Sequence, residues 1–189
     1  MTQIKRWLLG CLILIAGIVL VGGATRLTGS GLSMVDWRPI MGSIPPMTTA
    51  AWDATFNAYQ QSPEFQKINF NMTLSEFKSI FFWEYIHRML GRLIGLFAVI
   101  PFLYFSYKKQ LPTGFKKRWI GVIFLIGGQG LMGWYMVKSG LVDNPHVSHF
   151  RLAAHLSLAF IIFILIFREF LAIQFDSLQR IKPSKLSRL

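Results

Sequence analysis

One cysteine, Cys11, in 189 residues excludes a disulfide within the chain, even where a loop faces a compartment that permits one. Carboxylates are scarce too: eight Asp and Glu stand against twenty Lys and Arg. Only Glu84 falls inside an apolar run. Glu84-x-x-His87 has the spacing of a di-iron carboxylate unit, but such a centre needs a second unit and further glutamates, so that chemistry fails on ligand count. Charged residues amount to 15% of the chain. Long low-complexity tracts and short tandem repeats are missing as well.

What is present is mostly hydrocarbon. Over half of the residues are apolar, with 17 Phe and 6 Trp. Four runs have the roughly 17–25 residues needed to cross a bilayer: 7–24, 81–107, 119–137 and 148–167. The expected fold is therefore an all-α integral membrane protein, a four-transmembrane-helix bundle forming a single domain over residues 1–189.

The net charge of +12 invites a nucleic-acid reading, which its placement rejects. Lys5 and Arg6 precede the first run. Lys108, Lys109, Lys116, Lys117 and Arg118 fill the link between the second and third. Arg168, Arg180, Lys182, Lys185 and Arg188 follow the fourth, in a basic tail from 168 to 189. These groups share one side of a four-span protein, and the positive-inside rule makes it the cytoplasm, with both termini inside. Basicity here encodes topology, and the partner it implies is the lipid membrane. The first run resembles a cleavable signal, with small residues at Gly22, Gly23 and Ala24. A retained anchor is the expectation, because it keeps an even bundle.

Residues 25–79 form a long outer loop. Its Gly-, Pro-, Ser- and Thr-rich start marks turns. From Thr48, the helical spacing of Trp52, Phe56 and Tyr59 predicts a short amphipathic helix on the membrane surface. Thr73-x-x-Glu76 fits a capping box, predicting a second helix that leads into span two.

Two histidines carry the chemistry. His87 and His155 lie in the first turns of spans two and four, which enter the membrane from the same side. They thus sit at similar depth, where polar side chains are expensive. His87, Gly91 and Gly95 line one stripe, with Glu84 one turn earlier. Two glycines leave a flat strip that suits either helix packing or clearance for a planar ring. Arg88 and Arg92 form a neighbouring stripe that suits carboxylate pairing or snorkelling to the interface. Arg151 lies one turn before His155, and Ala159 keeps that stripe slim. In span three, Gly127, Gly130 and Gly133 permit close approach by a neighbour, and Gln129 needs a partner on another helix. His146-x-x-His149 in the second outer loop has the types for zinc or copper, but loop histidines are more often solvated. A haem between His87 and His155 accounts for most of this. It takes one ligand from each helix, leaves Arg88, Arg92 and Arg151 for its propionates, and uses the glycine strip.

The strings GGATRLTGSGLS, WRPIMGSIPP, EFKSIFFWEYIHRMLGRLIG, GGQGLMGWYMVKSGL and VSHFRLAAHLSLA, in that order, resemble the haem A synthase family in its proteobacterial and mitochondrial branch. The resemblance implies oxidation of the C8 methyl of haem O to a formyl group, giving haem A for cytochrome c oxidase. Two successive oxidations of one methyl yield a hydrated aldehyde that loses water. It carries over to His87 and His155 as the residues flanking the substrate haem and to Glu84 as the catalytic glutamate. The paired outer-loop cysteines of other branches have no counterpart.

The family fold has two similar four-helix halves, and this chain resembles the first. A haem b is expected on the other, supplied by a separate C-terminal half or approximated by a homodimer. Implied partners are the haem O synthase and the oxidase assembly machinery. The implied location is the bacterial inner membrane, or the mitochondrial inner membrane if the protein is organellar. The alternatives are a bis-His cytochrome b-like electron carrier and a non-catalytic haem-binding assembly subunit.

Overall fold

A computed structural model describes residues 2–35, 43–140 and 147–181, and the structural statements below concern these residues. Six helices follow one another: α1 (Thr2–Leu27), α2 (Thr49–Gln60), α3 (Pro63–Lys67), α4 (Leu74–Tyr107), α5 (Phe115–Gly140) and α6 (His149–Ile181). Of these, α1, α4, α5 and α6 are long and apolar enough to span a membrane. The chain is a multi-pass, all-α membrane protein. Each helix outruns its apolar run, because polar residues at the ends stay helical. Residues 168–181, expected as a basic tail, continue α6.

α1 packs on α4 and α6, and α5 packs on α6 and α4. The four helices close a ring with α4 and α6 at opposite corners. Lys5 Nζ lies 5.8 Å from the Phe170 ring centroid, so the start of α1 and the latter part of α6 meet at one end of the bundle. We call that basic end inner and the other outer.

The inner end is locked by rings. Trp7 and Trp119 lie 4.5 Å apart, and Phe115 stacks on Trp119 at 5.4 Å. Both tryptophans are buried beside Ala98, Phe102 and Phe105 of α4. The sequence makes this half of span two look like plain hydrocarbon, but Pro101 interrupts it. Proline has no N–H for the carbonyl four residues back, here that of Phe97. Trp7 Nε1 donates to the Phe97 carbonyl at 2.7 Å. One helix supplies the hydrogen bond that another lacks.

At the outer end, Thr73 and Glu76 form the expected capping box. The helix it starts is α4 itself, which runs unbroken for 34 residues. Thr48 caps α2, also as expected. The apolar face of α2, read as lying on the membrane, packs on α4 instead. Trp52 meets Phe81 edge-on at 5.1 Å, and Tyr59 stacks on Phe77 at 5.0 Å. Tyr59 and Phe77 are completely buried, each worth about 1.5–3 kcal/mol of burial. α3, capped by Ser62, was not foreseen.

Candidate functional site

His87 and His155 project from α4 and α6 near the outer end, each half-buried and within electrostatic reach of the other. The diagonal placement of their helices puts them across the bundle. Each ring rests on a glycine. A Cβ on Gly22 of α1 would stand 3.1 Å from His87 Nε2, and one on Gly133 of α5 would stand 3.3 Å from His155 Cε1. These are the glycines that give the imidazoles room. Of the pair singled out by spacing, a Cβ on Gly91 would meet Ile18 at 3.7 Å and one on Gly95 would meet nothing within 4 Å. Gln129 finds the inter-helix partner it needs, donating through Nε2 to the His155 carbonyl at 3.0 Å. That bond fixes the backbone that carries the histidine.

Glu84 is turned into the outer loop and is 2% exposed. Its Oε2 accepts from the Ser33 hydroxyl at 2.6 Å and from the Met34 amide at 2.8 Å. Its Oε1 accepts from Arg88 Nη2 at 2.5 Å, and that nitrogen also reaches the Met34 carbonyl at 2.9 Å. A carboxylate so buried is tolerable only when paired and hydrogen-bonded. Residues 30–34 are thereby pinned across the outer end of α4. Arg88, a candidate for propionate pairing, is engaged here with Glu84 and Met34. Arg151, another candidate, sits 4.8 Å over the Tyr135 ring. Arg92 is partly buried on α4.

Beyond the loop lies a cleft of about 180 Å³ bordered by Thr28, Leu32, Glu64, Asn69 and Ile80. Glu64 is buried and accepts from the Tyr59 hydroxyl at 3.0 Å. Burial pushes its carboxyl up to about 7, the Tyr59 bond pulls it down, and the negative charge of Glu84 adds to the rise.

At the inner end, Glu169 corrects the expectation that Glu84 alone lies within a span. It is 3% exposed inside the apolar stretch of α6, with Arg118 and Arg168 bound to it. Among the described residues, no three His, Cys, Asp or Glu side chains gather as ligands for one metal ion. His149, proposed from spacing as half of a loop metal site, is exposed at the start of α6. His146 lies outside the described residues.

Residues 5–189 match the model of a family described as cytochrome oxidase assembly protein. The chain belongs to that family. A haem A synthase of Nitrosospira multiformis is 56% identical over 164 residues, covering 85% of this chain and 45% of that protein. One from Ehrlichia canis is 52% identical over 170 residues, covering 90% and 49%. One from Rickettsia bellii is 50% identical over 165 residues, covering 87% and 49%. The chain thus spans about half the length of the curated relatives it matches. No solved structure matches it.

The site of this cytochrome oxidase assembly family member has the donor set that a haem needs: two imidazoles and, among the described residues, no competing cluster of carboxylates or thiols. His155 Nδ1 is buried without a hydrogen-bond partner, a cost that a second interaction would relieve. Glycines at 22 and 133 leave each ring room to turn. The residues fit the group. Gly133 meets the expectation of close approach by a neighbour, which proves to be His155, whereas sequence reasoning missed the roles of Gly22, Ser33 and Met34. The Gly-Ser run at 29–33 was read only as turns, although its serine and following amide complete a buried polar site.

Proposed function

We propose that this chain forms the haem-substrate half of a haem A-forming oxidoreductase, in which the C8 methyl of haem O becomes a formyl group. His87 and His155 are the two axial ligands of the substrate iron. The observation that carries this reading is the pairing of two imidazoles across the diagonal of one bundle, at the same end, each backed by a glycine.

The remaining residues take roles around that ring. Residues 30–34 close the outer end and keep water from the reacting edge. Glu84, one turn from His87, supplies negative charge where positive charge develops at the methyl carbon. Both of its oxygens accept hydrogen bonds, which hold the carboxylate in place. Arg92 and Arg151 serve the propionates, and Gly91 and Gly95 give the ring clearance. A haem b on a second four-helix half or a second copy of the chain would supply the electron acceptor. The protein works with the haem O synthase and the oxidase assembly machinery. It sits in the bacterial cytoplasmic membrane, or the mitochondrial inner membrane if organellar, with both termini on the basic side.

The test is the identity of the bound haem. Protein purified from cells making haem O should yield haem O, haem A or a hydroxylated intermediate, with a low-spin spectrum that is lost in His87→Ala and His155→Ala. Recovery of haem B alone would favour an electron carrier. Unchanged spectra in both variants would overturn the ligand assignment.

A further inference from the structure

The inner ends of α5 and α6 border a cleft that the haem site leaves unused. Its volume is about 360 Å³, and Gly121, Val122, Leu125 and Leu165 line it below Arg118, Arg168 and Glu169. Residues 118, 121, 122 and 125 share one stripe of α5, and 165, 168 and 169 share one stripe of α6. The cleft therefore runs along the helix axes for about two turns, roughly 10 Å. Gly121 opens it, since a Cβ there would meet nothing within 4 Å.

The polar rim is ordered before anything binds. Glu169 accepts from Arg118 Nε at 2.8 Å and Arg118 Nη2 at 3.0 Å, and from Arg168 Nη2 at 2.8 Å. The carboxylate is buried, whereas the arginine side chains are 43% and 58% exposed. Two guanidiniums around one carboxylate leave a net positive charge and N–H groups facing outward. Exposed Lys116 and Lys117 adjoin them. A basic head above an apolar trough at the membrane's basic face matches an anionic phospholipid: phosphate at the rim, acyl chain along the glycine.

The geometry points to a site for one anionic phospholipid between α5 and α6, with Arg118 and Arg168 holding the headgroup phosphate and Gly121 admitting the acyl chain. Glu169 is a positioning residue that fixes both arginines. The occupant is a membrane lipid because the phosphate site and the chain trough are continuous. A free phosphate uses only the first.

The test titrates the delipidated full chain in uncharged detergent with phosphatidylglycerol and with phosphatidylcholine, following thermal unfolding and counting retained lipid by native mass spectrometry. Phosphatidylglycerol should saturate one site and bind about tenfold tighter than phosphatidylcholine. Arg168→Gln leaves the two-pronged Arg118–Glu169 pair intact and should weaken phosphatidylglycerol about fivefold, the worth of one surface cation. Arg168→Lys should stay within about twofold of the parent. Gly121→Leu fills the trough with every charge in place and should abolish the saturable site. Circular dichroism checks that the variants fold. Equal affinity for the two lipids would overturn the site, as would indifference to both Arg168→Gln and Gly121→Leu. So would the same saturable stabilisation from inorganic phosphate alone. A Gly121→Leu variant that changes the oligomeric state yet binds phosphatidylglycerol normally would assign the cleft to a second copy and also overturn it.

Discussion

Two sites at opposite ends of this bundle meet the same difficulty, an unpaired polar group in hydrocarbon, by opposite means. At the inner end the group is a backbone carbonyl released by Pro101, and an indole from α1 satisfies it within a cluster of rings. At the outer end it is a carboxylate, and a loop that enters the bundle satisfies it with a hydroxyl, an amide and a neighbouring guanidinium. One solution costs little solvent-excluding machinery and holds helices together. The other commits a loop, a buried charge and an arginine, an arrangement more readily explained by chemistry than by stability alone.

If that contrast holds, the outer end should suffer most from loss of one group. Glu84→Ala leaves Arg88 without its counter-charge and should destabilise the protein by about 3–5 kcal/mol, read as a fall in thermal midpoint. Proteolysis should become faster near residues 30–34. Glu84→Gln keeps the shape and some of the bonds but removes the charge. It should retain bound haem while formyl production stops in a system completed by the second half. Haem A forming at the parent rate in that variant would end the case for a charge-based role.

Glu64 gives the next largest effect. Its folded carboxyl titrates near 7 against an ordinary 4.5, so the native state holds a proton that the unfolded chain has released between those values. Stability is therefore greatest below about pH 4.5 for this group and declines as pH rises to about 7, by roughly 2–3 kcal/mol. Glu64→Gln should flatten that part of the stability profile. A parent profile rising through this window would contradict the buried setting.

The inner end should break more gently. Trp7→Phe keeps the ring but orphans the Phe97 carbonyl, costing about 1–3 kcal/mol. Pro101→Ala restores the helical bond and makes the indole redundant. Trp7→Phe should therefore cost less in the Pro101→Ala background than alone, a coupling that a double-mutant cycle measures. The smallest stability effects belong to Gly22→Ala and Gly133→Ala. Each crowds an imidazole by a few tenths of an ångström, and each should shift the haem spectrum more than the unfolding midpoint.

The spans, the capping box at Thr73, the α2 cap at Thr48 and the need of Gln129 for a partner were all readable in the sequence. Each depends on local spacing or on the general cost of polarity in lipid. The contacts across the bundle were not. His87, Gly91 and Gly95 share a stripe, but which glycine faces an imidazole depends on the order of helices around the ring, and periodicity within one helix carries no such information. Glu169 was missed because Arg168 looked like the end of the span. A carboxylate covered by two arginines extends a helix through a region that hydropathy alone assigns to water. The Phe97 carbonyl released by Pro101 found its donor ninety residues away, beyond any window along the chain.

The ring order has a mechanical consequence. α4 and α6 face each other without packing along their length, so the gap between the imidazoles is set only at second hand, through α1 and α5. Trp7 and Trp119 bridge the other diagonal, α1 to α5, at the inner end, and a four-sided frame joined at its corners still shears at the outer end until a diagonal brace is added there. A molecule gripping His87 and His155 together is such a brace. Loading should then stiffen the two helices that contribute no ligand, and amide hydrogen exchange in α1 and α5 should slow as much as in α4 and α6. Slowing confined to the histidine helices would mean that the frame is already rigid without its diagonal.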